Sequence, residues 1–183
     1  MHTRRLLAVT MLLLALGSGA ALAQDGKNTA QAMRDLRVAF LSTSASSMGF
    51  QPSREYPRVF GAAMDWPIGE HTATIVTALD GSASLYTTAT FGVIGGGPTH
   101  EAVRAAAQRF VKAAAIHHDE AAPTSNYTYP SKGKVRFYLR TFDGARLIET
   151  ESASVYSTSG QYSPLFRAGQ AVVTELRKVT EQK

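Results

Sequence analysis

Two Asp-Gly dipeptides constrain this chain more than any other feature. Asp80-Gly81 divides the run 71–79 from 82–91, and Asp143-Gly144 divides 134–142 from 145–155. Asp-Gly suits the tight two-residue hairpin turn, whose central positions need a positive φ that these residues reach at low cost. Each dipeptide therefore predicts an antiparallel hairpin. Counting outward from the first turn sets Ala78 opposite Ala83, Val76 opposite Leu85 and Ile75 opposite Tyr86. Neither face of this hairpin is charged, which places it inside a sheet or beneath a helix. The second count sets Leu139 opposite Ile148, Tyr138 opposite Glu149 and Arg136 opposite Glu151, giving one apolar face and one that reads as wet. A fifth strand, 59–66, is closed by Pro67, which cannot donate to a ladder.

Helical patterns surround these strands. Residues 30–41 carry a loose stripe of Met33, Leu36, Val38 and Phe40 or Leu41, and 101–117 carry Val103, Ala107, Phe110 and Ala114 on one line. Thr99 stands as the N-cap of the second helix, with Glu101 in its favourable first turn. Ser163-Pro164 opens a last helix with Leu165, Gly169, Val172 and Leu176 inward. Residues 121–133, with Pro123 and Pro130, read as a linker. The order of helix, three strands, helix, two strands and helix predicts an α+β fold, a five-stranded antiparallel sheet with two or three packed helices.

Composition removes several function classes. None of the 183 residues is cysteine, which excludes disulfides, thiolate metal sites, a thiol nucleophile and a bacterial lipid anchor. The net charge of +5 is modest, and the basic residues are scattered among acids without an aromatic-interleaved stripe, so no nucleic-acid footprint is present. The N-terminus reads as a signal peptide over residues 1–23: Arg4-Arg5, an apolar run over 6–16, then Ala21-Leu22-Ala23. That run falls short of the roughly 20 residues that span a bilayer. Cleavage before Gln24 would leave residues 24–183 as a single domain, periplasmic or secreted, without stable membrane insertion.

The segments Val59-Phe60-Gly61-Ala62-Ala63-Met64-Asp65, Asp80-Gly81-Ser82-Ala83-Ser84-Leu85-Tyr86 and Gly92-Val93-Ile94-Gly95-Gly96-Gly97 resemble small exported bacterial proteins of uncharacterised function. That resemblance brings no chemistry with it. The layout also resembles the roadblock and profilin-like fold, in which five antiparallel strands lie between helices. This resemblance implies scaffolding, dimerisation or sensing rather than catalysis.

Three constellations are candidates for a site. Gly95, Gly96, Gly97 and Thr99 precede a helix, where unpaired N–H groups could hold a small anionic ligand, yet the G-x-G-x-x-G and G-K-[ST] spacings are missing. Tyr127, Tyr129 and Tyr138 could form an interface with a protein partner. Asp65, His71 and His100 could serve a hydrolase, although no H-E-x-x-H or G-x-S-x-G motif occurs. His117 and His118 are adjacent and diverge by about 100° on a helix, which disfavours a shared metal, and no cofactor is expected. No catalytic signature is complete, so enzyme status stays open. The leading expectation is an exported binding or protein-interaction module capable of self-association.

Overall fold

A computed structural model describes residues 26–89, 91–97 and 99–181, so the expected leader lies outside the described residues. The elements are α1 (Gly26–Ser42), β1 (Val59–Ile68), β2 (His71–Ala78), β3 (Ala83–Thr87), β4 (Gly92–Val93), α2 (Glu101–Ile116), β5 (Ala122–Thr124), β6 (Lys134–Thr141), β7 (Gly144–Glu151), α3 (Ser152–Tyr156) and α4 (Ser163–Glu181). All strand pairs are antiparallel, in the order β4-β3-β2-β1-β6-β7-β5. The sheet thus has seven strands, not the expected five. The two additions, β4 in the glycine-rich stretch and β5 in the expected linker, are too short to show an alternating pattern.

Both hairpins form, but neither turn is an Asp-Gly pair. In the first, Ala78 N–H donates to Ser82 O (3.0 Å) across a three-residue loop, Leu79-Asp80-Gly81, with Gly81 at φ 84°. Leu79 N–H is diverted to Phe60 O of β1 (2.8 Å). The ladder slips by one residue, so that Ile75, not Val76, opposes Leu85. A slip of one reverses faces: Ala73, Ile75, Ala83 and Leu85 now lie together, while Val76 and Tyr86 turn the other way. In the second hairpin Thr141 opposes Gly144 (φ 138°), leaving Phe142-Asp143 as the loop. This slip of two preserves the faces and changes the partners, so Arg136 meets Glu149 rather than Glu151.

β1 runs one residue past Pro67, which lies beyond the end of the β1–β6 pairing, so its missing donor leaves no gap there. A bulge between Val59 and Gly61 turns the strand at its start. Thr99 does not cap α2: the N-cap is His100 in extended conformation, without a side-chain cap bond. Ser163 Oγ likewise donates away from its own helix, to Ser154 O (3.1 Å) and Ser157 O (2.5 Å), and so fastens the turn between α3 and α4.

Helices α2 and α4 pack together on one face. Val103, Phe110, Leu165, Val172 and Leu176 close with Met64, Ile75, Leu85, Phe137 and Leu139 into the larger core. The other face, expected to be wet, is covered by α1 and the segment 127–129, and Tyr138 and Arg140 are buried there.

Candidate functional site

α1 meets the sheet along one fully buried row, with the partly buried Leu36 and Phe40 beside it. Thr29, Met33, Arg37 and Leu41, spaced by four, are its buried residues among those described, so an arginine occupies the middle of an otherwise packed line. Arg37 is 1% exposed and Asp65, on β1, is fully buried. Arg37 Nε donates to Asp65 Oδ1 (3.0 Å) and Nη2 to Asp65 Oδ2, a bidentate pair. Thr74 Oγ1, from the neighbouring β2, donates to the same Oδ1 (2.5 Å). The guanidinium also donates through Nη1 to Tyr127 O (2.6 Å) and through Nη2 to Tyr138 Oη (3.4 Å). Its carbon stands 4.3 Å from the Tyr129 ring centroid and 5.5 Å from that of Tyr138.

Burial pushes the Asp65 carboxyl up, while Arg37 and Thr74 pull it back by donating to its charged form. Burial also works against the charge on Arg37, but the hydrogen bond and charge of Asp65, aided by Tyr138 and Tyr129, hold its pKa above the ordinary value. A second arginine crosses the same interface in the opposite direction. Arg140, on β6, donates through Nη2 to Thr43 O just past the end of α1 (2.5 Å) and lies 5.5 Å from the Phe60 ring centroid. A cation there suits the negative end of a helix. Burial lowers its pKa, against Tyr127, and its Nε has no partner among the described residues.

The three tyrosines named from sequence therefore converge, but inward. Tyr138 is fully buried, Tyr127 and Tyr129 are half-buried, and the Tyr127 and Tyr138 rings meet edge to face (6.2 Å). Asp65, His71 and His100 are not brought together: Asp65 faces α1, His71 is exposed at the start of β2, and His100 opens α2 on the opposite face. Arg37 was missed because α1 reads as a loose stripe. The usable signal was its spacing of four from both Met33 and Leu41.

The glycine turn is packed tightly. A Cβ on Gly96 would lie 2.2 Å from Leu176 Cδ2, and one on Gly97 would lie 2.0 Å from Gly81 O. Two of its amides are engaged within the chain, Gly95 N–H on Ser84 Oγ (3.2 Å) and Gly96 N–H on Ala83 O (3.0 Å). Thr99 is exposed. His117 pairs with Glu120 (3.1 Å) and His118 with Asp119 (2.8 Å), which also meets Arg58. No cluster of three or more metal-ligating side chains occurs among the described residues. Nor is any described helix long and apolar enough to cross a membrane.

The two edges of the sheet differ. β5 is blocked by Pro123 at its centre. β4 is uncharged and proline-free, hydrogen-bonded on one side to β3 and on the other to no strand among the described residues, and flanked by Phe91 (54% exposed) and Ile94 (47% exposed). Met33 packs over it so closely that a Cβ on Gly92 would lie 2.6 Å from Met33 Sδ. No family model, curated protein or solved structure matches the chain.

Proposed function

We propose that the chain is an exported binding module that associates with a second copy of itself through β4. The observation that carries this reading is the open apolar edge, Phe91 to Ile94, beside a sheet whose opposite edge is closed by proline. An unpaired edge offers backbone donors and acceptors, and identical strands pair antiparallel about a two-fold axis without further adaptation. The edge segment carries no charge, so two copies do not repel along it. Ile68, also exposed, lies at the same end of the sheet as Phe91. The central strands β3-β2-β1-β6-β7 lie between α1 on one face and α2 and α4 on the other; the resemblance to roadblock and profilin-like scaffolds expected from the sequence supports association over catalysis by analogy alone.

The test is mass in solution. Light scattering on the exported product should give a dimer, with intact mass placing its first residue at Gln24. Ile94→Pro, which removes an outward-facing donor while leaving the Leu85–Val93 pair intact, and Ile94→Lys should each return a folded monomer. A wild-type chain that stays monomeric at about 100 µM, a concentration at which association worth about 5.5 kcal/mol is half-saturated, overturns the reading.

A further inference from the structure

We propose that Asp65, Thr74, Tyr129, Tyr138 and the Tyr127 carbonyl form a guanidinium-binding site, which Arg37 fills from within the chain and a guanidinium group from outside fills when α1 lifts. The walls of this cage come from β1, β2, β6 and the segment 127–129. None comes from α1, so removing the helix leaves the cage in place. Its chemistry is selective. Asp65 meets the planar fork at two oxygens, Thr74 holds one of them, the Tyr127 carbonyl takes a third donor, and Tyr129 supplies a π face. An ammonium group is a compact charge that matches neither the fork nor the stack.

α1 is the element best suited to vacate such a site. It is held by the buried row of Thr29, Met33, Arg37 and Leu41 with the partly buried Leu36 and Phe40 beside it, whereas α2 fully buries Val103, Ala106, Ala107, Phe110, Val111 and Ala114. Elements with few buried apolar contacts open at low free energy. A ligand that binds only the open state then shifts the population toward it. In the wild type that ligand competes with Arg37, whose effective concentration as a tethered group is in the range of millimolar or above. Removing the Arg37 side chain should therefore expose the site.

Thermal melts of the Arg37→Ala chain with 10 mM methylguanidinium, 10 mM methylammonium or 10 mM sodium, all as chlorides, test this. Methylguanidinium should raise the melting temperature by about 3–5 °C if it stands about tenfold above its Kd. Methylammonium and sodium should not. The wild type and the Arg37→Ala/Asp65→Asn double variant should show no rise, since guanidinium is otherwise a denaturant. If Arg37→Ala does not fold in buffer, refolding yield with the same additives replaces the melt, and recovery with methylguanidinium alone supports the site. Equal behaviour in guanidinium and sodium, by either readout, overturns it. The source of the group is separated with L-argininamide and a peptide of residues 26–42: tighter peptide binding, lost on Arg37→Ala in the peptide, points to an arginine presented by a helix, and equal affinity points to a free guanidinium compound.

Discussion

Under α2 and α4 the sheet presents Ala62, Met64, Ile75, Leu85, Phe137 and Leu139; under α1 it presents Asp65, Thr74, Tyr138 and Arg140. Both faces are covered by helix and both exclude water, yet they hold by different physics. The first relies on apolar area and close packing, which are non-directional and tolerate small adjustments. The second adds to a smaller apolar cluster of Met33, Leu41, Ala63, Val76 and Tyr86 a set of bidentate and helix-end contacts that exist in one register of α1 and fail together in any other. A core of the first kind stabilises a fold, whereas an interface of the second kind specifies a position. It is also the kind that another group of the same chemistry can contest.

The largest effects should fall on each face's centre and differ in whether they can be repaired. Phe110→Ala should destabilise by about 3–5 kcal/mol in urea melts, from lost transfer energy and the cavity left behind. Asp65→Ala should cost a similar amount, about 3–5 kcal/mol, because it strands the Arg37 guanidinium in a buried site. The double substitution Arg37→Met/Asp65→Leu should then recover most of that loss and lie within about 1 kcal/mol of the wild type, since a buried ion pair is often replaceable by apolar groups of similar volume. A double variant as unstable as Asp65→Ala alone would show that the α1 face depends on the pair for more than charge balance.

Gly96→Val probes the rim of the dry face. The new side chain would meet Leu176 of α4, and overpacking of this kind costs about 1–3 kcal/mol. Titration calorimetry with inorganic phosphate should show no saturable binding in either the wild type or the variant, because the amides of Gly95 and Gly96 already have partners. Saturable phosphate binding by the wild type, lost in the variant at retained fold, would return the turn to the list of ligand sites.

The dry face was legible in the sequence and the polar face was not. Val103, Phe110 and Ala114 recur at helical spacing, and Phe137 and Leu139 alternate with polar residues, so the pattern of burial follows from period alone. Arg136, Tyr138 and Arg140 alternate just as cleanly, but polarity alone reads as solvent, and nothing local reveals that an arginine 28 positions from Asp65 and 101 from Tyr138 will answer both. Registers failed for a local reason. The Asp-Gly pairs announced turns, but Gly81 took the third position of a longer loop and Gly144 fell just after a two-residue one, so the same motif produced slips of one and of two.

The smallest predicted effect checks that second slip, where the polar face meets solvent. Arg136 Nε donates to Glu149 Oε2 (2.5 Å), and Lys134 pairs with Glu151, whereas an Asp-Gly turn would have joined Arg136 to Glu151. Arg136 also donates to Thr128 O (2.7 Å) and Thr128 Oγ1 (2.8 Å), so its removal alone disturbs the segment that closes the guanidinium cage. A double-mutant cycle separates these contributions, because the loss at Thr128 is common to both legs and cancels. Arg136→Ala with Glu149→Ala should give a coupling of about 0.2–1 kcal/mol, the range of partly exposed pairs, and it should shrink in salt. The cycle of Arg136 with Glu151 should give none above error. Coupling to Glu151 instead would restore the Asp-Gly register, and with it a different set of neighbours along the whole polar face.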